Sequence, residues 1–347
     1  MVGIRDVADR AGVSLSTVSI ILNGNAKARR ISDETREKVT AAMEELHYVP
    51  NNYAKYLRQR ENPKYTIALF WSFDFRRVMM TRFLSGLQEG IRLSDIEAST
   101  VIYPFTVGEL CRHRDELRSG AFNAVVIANA DEADIEFLAK EEMPSRIVLY
   151  NRELAGFASV NMDNIEIGHI AAEHIYAKGY KKPAIIYGAR NFSGANERER
   201  AFCDRCRELG ASVNEDMFFE AEISVGGGAE CVERVLHFFK GCESNIPDCF
   251  FCASDAIAIG FTNALTAKGY QVPEDIGIIA IGNCEPQYSR YNNPSITVID
   301  IPMEDMAAAA YKMFHDQRFS QEFKIDRQFF KTKLFPGKST ERIVHIC

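Results

Sequence analysis

No stretch of this 347-residue chain approaches the roughly 18 uninterrupted apolar residues of a membrane span. Its first ten residues are charged and hold no apolar export segment, so a cytoplasmic protein with no membrane partner is expected. The usual catalytic signatures are missing too. There is no Gly-x-Ser-x-Gly nucleophile elbow, no Gly-x-Gly-x-x-Gly turn and no Walker lysine, so neither an enzyme nor a cofactor is expected. The nine cysteines are odd in number and scattered, which reads as free thiols, not a disulfide framework. Cys203-x-x-Cys206 and Cys249-x-x-Cys252 invite a zinc reading, but the second pair falls in an expected strand, where residues three apart face opposite sides. His169 and His174 are five apart, not the four that aligns ligands on one helix face, and no metal is expected. Gly226-Gly227-Gly228 could hold an anion through backbone amides but lacks companion motifs, and reads as an ordinary loop. Residues 341–347 show no leucine heptads, so nothing larger than a dimer is expected.

What is present suits a globular chain of two or three domains, with 46% hydrophobic and 26% charged residues. The net charge of −7 is unevenly spread. Residues 1–60 hold 10 Lys and Arg against 7 Asp and Glu, net +3, and the remainder is net −10. A small basic module on an acidic body is what phosphate contact at one end needs, since displaced counterions drive most non-specific nucleic-acid affinity.

Within that module, Ile4, Val7, Ala8 and Ala11 share one helix face, and Gly12 ends the helix. Ser14 can cap a second helix with Val18, Ile21 and Leu22 inward, stopped at Asn23-Gly24. A third helix starts after Ser32, with Asp33 and Glu34 in its first turn, and buries Val39, Met43 and Leu46. Two short helices around a tight glycine turn make a helix-turn-helix, closed by the third.

The wording is more specific than the pattern. Ile4-Arg5-Asp6-Val7-Ala8, Ala11-Gly12-Val13-Ser14, Thr17-Val18-Ser19, Leu22-Asn23-Gly24, the run from Ser32 through Val39 and Leu46-His47-Tyr48-Val49-Pro50-Asn51 resemble the headpiece of the LacI/GalR (lactose-repressor) family. The resemblance continues more loosely along the whole chain. It implies a sequence-specific transcription regulator, a repressor by default, acting on carbohydrate-utilisation genes. Its partners would be double-stranded operator DNA, a second copy of itself and a small-molecule effector.

In a helix-turn-helix the first residues of the second helix lie nearest the base edges, here Leu15, Ser16 and, one turn on, Ile20. The resemblance adds Ser14, Thr17, Ser19 and Asn23 as phosphate contacts that set register. Where the family usually has Arg, this chain has Ile20, which can pack on a thymine methyl but cannot fork onto guanine, so altered operator preference is expected. Lys27, Arg29 and Arg30 form a basic loop beside this helix. The segment from Asn51 to Arg58 resembles the family's hinge helix, too short to be stable alone. There Tyr53, Ala54, Leu57 and Arg58 are implied DNA residues, with Leu57 wedged into the minor groove and Lys55 and Arg58 on the flanking backbone.

After residue 62 short apolar runs alternate with helical periods. Strands are expected over 65–71, 100–105, 124–128, 146–150, 184–187, 248–253, 276–281 and 295–300, and helices over 79–93, 163–178, 197–209, 228–239 and 255–268. Continuous apolar strands between helices mean parallel sheets covered on both faces. The fold expected is an all-α headpiece (1–50), a hinge (51–60), and an α/β core of two doubly wound parallel-sheet lobes, similar to periplasmic binding proteins. The lobes would span 61–161 with 293–323, and 162–292 with 324–347. Tyr150-Asn151-Arg152, Val160 to Asn164, Glu197-Arg198, Cys252 to Asp255, Val272 to Asp275 and Pro294 to Val298 stand where such cores carry recurring phrases.

Ligands of this architecture bind beyond the carboxyl ends of the strands, between the lobes. Arg198 and Asp255 are the foremost candidate effector contacts, because a guanidinium and a carboxylate can bracket vicinal hydroxyls. Asn151 follows, then Phe73, Arg77, Asn129 and Ser193 on loops after strands. The family commonly has an aspartate near Gly282 and Asn283 and an aromatic near Ile223, and this chain supplies neither. The effector expected is a sugar, and Arg76 and Arg77 near the cleft mouth keep a phosphorylated or acidic sugar derivative as the alternative.

Overall fold

The computed structural model describes residues 4–22, 29, 31–46, 65–143, 146–188, 193–211, 213, 215–282, 286–320 and 322–342. At the N-terminus three helices, α1 (Ile4–Ala11), α2 (Leu15–Leu22) and α3 (Asp33–Glu45), enclose a small core of Val7, Ala8, Val18, Val39 and Ala42. Ala11, Val13, Ile21, Met43 and Leu46 pack against it. Gly12 takes φ +65° in the turn, where a side chain would be strained. Arg10 reaches from α1 to Glu45 of α3.

The rest of the described chain forms two α/β lobes. The first sheet orders β1 (Tyr65–Ser72), β2 (Ala98–Phe105), β3 (Ala124–Ala128), β4 (Ile147–Tyr150), β5 (Ala158–Met162) and, from far along the chain, β11 (Arg327–Phe330) as β11-β5-β4-β3-β1-β2, all parallel. The second contains β6 (Pro183–Tyr187), β7 (Phe218–Glu220), β8 (Cys249–Cys252), β9 (Gly277–Gly282), β10 (Thr297–Asp300) and β12 (Lys333–Phe335), ordered β12-β10-β9-β8-β6-β7, with only the β10/β12 pair antiparallel. Strands β3, β4, β8 and β9 are buried along their whole length, as sheets covered on both faces require. The helices are α4 (Met79–Arg92), α5 (Arg114–Arg118), α6 (Glu132–Lys140), α7 (Asn164–Ala177), α8 (Ser193–Glu208), α9 (Val225–Phe238), α10 (Asp255–Ala267), α11 (Pro286–Tyr291) and α12 (Met303–Asp316). Among the described residues no helix is long and apolar enough to cross a membrane.

Three expectations are corrected. The expected division assigned 293–323 to the first lobe and 324–347 to the second, yet β10 pairs with β9 in the second sheet and β11 with β5 in the first. The chain therefore crosses between lobes after β5, after β10 and again between β11 and β12. Strand β5 was not expected at all, because its buried Ser159 and Asn161 break the apolar run; the Asn161 amide donates to Ser159 Oγ at 2.8 Å. Finally, Gly226 to Gly228 is no loop but the first turn of α9, where Ser224 Oγ accepts from Gly227 N–H at 2.9 Å. A Cβ on Gly228 would lie 2.2 Å from the Ile257 carbonyl oxygen, so this glycine serves backbone-to-backbone packing of α9 on α10, while Gly227 lies against the Glu222 backbone.

The crossing after β10 is held by one cation. Arg82 of α4 donates from Nε and Nη2 to Glu304 at 2.7 and 2.6 Å, and from Nη1 to Asp300 Oδ1 at 3.0 Å. Gly86, one turn on, lets α4 approach α12 so closely that a Cβ would sit 2.2 Å from the Glu304 carbonyl oxygen. On the second lobe, His174 of α7 meets Thr340 at 2.8 Å, and burial, then Lys178, pushes its pKa down to about 4.

Arg82→Met should strand buried carboxylate charge and lower unfolding free energy by about 3 kcal/mol in denaturant titration. Glu304→Gln, at a carboxylate 43% exposed, should cost about 1 kcal/mol or less. Because His174 falls from an ordinary 6.5 to about 4 on folding, the unfolded chain binds more protons between those values. Stability present above pH 6.5 is therefore lost as pH falls toward 4, and His174→Gln should flatten the urea midpoint across that window.

Candidate functional site

In the headpiece, sequence and geometry agree on which end of α2 faces outward. Ser14 Oγ accepts the Thr17 N–H at 3.1 Å and lies 2.7 and 2.8 Å from the hydroxyls of Ser16 and Thr17, so three hydroxyls cluster at the helix start. Here Ser14 and Ser16 are exposed, Leu15 is 43% exposed, and Thr17, Ser19 and Ile20 are half-buried. Such an end, with free amides and hydroxyls, is suited to phosphate oxygens. Arg29 sits exposed in a turn. Asn23 and the hinge residues Tyr53, Ala54, Leu57 and Arg58 lie outside the described residues.

In the core, the two sheets turn their carboxyl ends toward one cleft. Residues immediately after β3, β4, β6 and β8 contribute Asn129, Asn151, Gly188 and Ala253 to an enclosed chamber of about 70 Å³, with Arg76 from the 3-10 turn that follows β1 and Gly282 from the end of β9. Sharing walls with it are a wide cavity of about 940 Å³ on one side and one of about 490 Å³ on the other. Asn129 and Asn151 both hold left-handed backbone, φ 61° and 55°, at equivalent positions after adjacent strands. Strain of this kind, about 1–3 kcal/mol each, gathers at ligand clamps, and asparagine tolerates it better than most side chains.

Arg198 is buried on α8 and donates from Nη2 to Asn164 Oδ1 at 2.9 Å; its Nε has no hydrogen-bond partner. Its placement follows from Gly168 on α7, where a Cβ would lie 2.5 Å from the Arg198 carbonyl oxygen. Burial lowers its pKa to about 10, against the opposing charge of Glu199. The Asn129 side-chain nitrogen is likewise buried without a partner.

The sequence candidates thus divide. Arg198, Asn129 and Asn151 meet in the enclosed chamber, and Arg77 and Asp255 line the wide cavity beside it. Asp255 is also the first residue of α10, where its carboxylate accepts the Ala256 N–H at 3.0 Å. Phe73 is 65% exposed and lines none of these three cavities. Ser193 begins α8.

Met79, Tyr150 and Glu199, none of them a sequence candidate, also line the chamber. Two carried a signal: Tyr150 ends an expected strand, and Glu199 adjoins Arg198. Arg76, expected at the mouth, is instead buried and grips Asp74 through Nε at 2.9 Å and Nη2 at 2.5 Å. Ile223, where an aromatic was looked for, packs against Gly188 so tightly that a Cβ there would lie 2.3 Å from it. Arg152, next to the chamber, donates to the carbonyls of Ala130 and Asn151, and burial followed by the charge of Arg76 lowers its pKa to about 9. Cys203, Cys206, Cys249 and Cys252 are buried thiols, raised in pKa mainly by burial.

Residues 3–51 match the family described as bacterial regulatory proteins, lacI family, and residues 172–340 match a periplasmic binding protein-like domain. A relative, the probable HTH-type transcriptional repressor ExuR of Bacillus subtilis (strain 168), is 24% identical over 99% of each chain. The crystal structure of a LacI family transcription regulator from Clostridium acetobutylicum is 30% identical, covers 79% of this chain and 99% of its own, and superposes with a TM-score of 0.72. The lac repressor dimer bound to operator and the anti-inducer ONPF shares the fold, at 21% identity, TM-score 0.69, and 98% and 99% coverage of the two chains.

Ser14→Ala should remove the cap of α2 at a cost of about 1 kcal/mol. Hydrogen exchange at α2 amides in the full chain should then run roughly fivefold faster, with core amides unchanged.

Proposed function

The chain belongs to the LacI family of bacterial regulatory proteins and is a DNA-binding transcription regulator, not an enzyme; from that premise we propose that it represses carbohydrate-utilisation genes in the cytoplasm under control of a small effector. The observation that carries this reading is the joining, in one chain, of a helix-turn-helix with its second-helix start exposed to a two-lobed core whose strand ends converge on a cleft.

In this reading Leu15, Ser16 and Ile20 face base edges, and Ser14, Thr17, Ser19, Asn23 and Arg29 hold phosphates. A dimer places two headpieces on a near-palindromic site, since half-site geometry mirrors the protein two-fold. Tyr53, Ala54, Leu57 and Arg58 order against the minor groove when both hinges pair. Arg198, Asn129 and Asn151 hold the effector, with Arg77, Asp255, Ser193 and Phe73 around it. A sugar or acidic sugar derivative binding between the lobes favours one lobe arrangement by its differential affinity, and so biases hinge pairing. Operator and effector then change each other's affinity by the same factor.

Deleting residues 1–58 should abolish gel-shift binding to duplex selected from random sequence, while ligand-induced thermal stabilisation of the remaining core persists. Full-length protein that selects no duplex at low salt, with or without candidate metabolites, would refute the reading.

A further inference from the structure

We propose that the outward row of residues 327–335, which joins the edges of the two sheets, is a binding surface for single-stranded nucleic acid, separate from the headpiece and from the cleft. Strands β11 and β12 each end the strand order of their sheet. Along and between them exposure alternates without a break. Arg327, Phe329, Lys331, Lys333 and Phe335 are exposed, and every residue between them is half-buried or buried. The inward set fixes this register: Phe330 and Leu334 pack on the main core cluster, and Gln328 donates to Asp326 Oδ2 at 2.8 Å. Core packing and strand pairing thus hold the outward row extended, with or without an occupant. Alternate side chains of an extended chain stand about 6.6 Å apart, so the row spans at most about 26 Å.

Residues 324–338 hold five cations against one carboxylate, net +4, in a body whose residues 61–347 carry net −10. Arg327 pairs with Glu153 at 3.5 Å, but Lys324, Lys331, Lys333 and Lys338 are exposed and form no ion pair among the described residues. The strip is therefore a positive field that the acidic body leaves open to a polyanion. Lysine on a sheet edge can serve only to discourage wrong pairing. Phe329 and Phe335, 57% and 49% exposed in the same row, work against that purpose, since bare apolar rings invite association. Phe335 also walls a cavity of about 460 Å³ shared with Arg290 and Pro336. The partner that alternates in the same way is a single strand of nucleic acid, with a phosphate and a flat, unpaired base in every nucleotide. Ammonium groups displace its counterions and aromatic rings stack on its bases. A duplex hides the base faces and would leave both rings unused.

Full-length protein is titrated into labelled oligothymidylate of about 16 nucleotides, and into a mixed-sequence duplex of the same length, with fluorescence anisotropy read across about 50–200 mM salt. The expected result is saturable binding of the single strand. Phe329→Leu with Phe335→Leu, which keeps apolar bulk but removes the stacking faces, should weaken it by roughly fivefold or more and leave its salt dependence unchanged. Lys331→Gln with Lys333→Gln should make the slope of log K against log salt shallower by about 1.4. Duplex binding, which the headpiece governs, should move under neither pair. All four positions are exposed, so thermal melting should be unchanged. Where a pair does melt early, its single member Phe329→Leu or Lys331→Gln is read in its place. No saturable single-strand binding, or binding that neither pair moves, overturns the proposal. A loss with the lysine pair alone, or an equal loss for the duplex, overturns it also, because the rings then take no part.

Discussion

Arg82 stands where the chain leaves the second sheet for the first lobe, and its guanidinium holds a carboxylate on either side of that passage, Asp300 at the end of β10 and Glu304 early in α12. Arg82 and Asp300 are about 15% exposed, so attraction between them is screened far less than at the surface. The same helix α4 begins with Met79, which lines both the enclosed chamber and the wide cavity. One ion-pair cluster therefore ties the cleft wall to a strand of the opposite sheet. Relative movement of the lobes must pivot about this contact or break it, and breaking it leaves charges with no partner in a half-dry setting.

Around that pivot the two lobes contribute unlike surfaces. The first lobe brings polar side chains after its strands, two of them asparagines in left-handed backbone, which fixes their direction independently of any ligand. The second lobe brings glycine and alanine after its strands and delegates its polar contact to a helix, through Arg198. In the proposed effector site, preset geometry on one side and a buried guanidinium on the other leave little to order when a ligand arrives, which would keep the entropy lost on binding small.

Much of this was legible from residue patterns, for identifiable reasons. The headpiece core of Val7, Ala8, Val18 and Val39 follows helical spacing with a glycine turn between, and β1, β3 and β8 are apolar runs that only a covered parallel sheet accommodates. Strand β5 was not legible, because a pair of buried polar side chains satisfying each other looks in sequence like a solvated segment. Strands β7 and β12 are three residues long, too short for any period to register. Helix α12 did carry its signal, with Met303, Met306, Ala307, Ala310, Tyr311 and Phe314 on one buried face. The exchange of β10 and β11 between sheets was illegible in principle, since apolar alternation fixes a strand's faces but not its neighbours. In the cleft, positions after strand ends pointed to Asn129 and Asn151, whereas the burial of Arg198 beside Asn164 emerges only in three dimensions.

The return of β11 to the first sheet has a bearing on how the protein is made. Helix α12 covers α4, and β11 closes the exposed edge of β5, yet both come from residues 303–330. A chain growing from its N-terminus therefore brings out five strands of the first lobe long before the pieces that finish it. The second lobe, continuous from β6 to β10, needs in addition β12 and the residues just after it, where Ser339 and Thr340 bond to β9, β10 and His174. Domains usually fold in the order they emerge from the ribosome, but here the lobe synthesised first must wait. Until then Gly86 and Gly90 of α4, which meet Glu304 and Tyr311 of α12, and the rim of β5 stay uncovered, and an unpaired strand edge is the feature most open to wrong pairing.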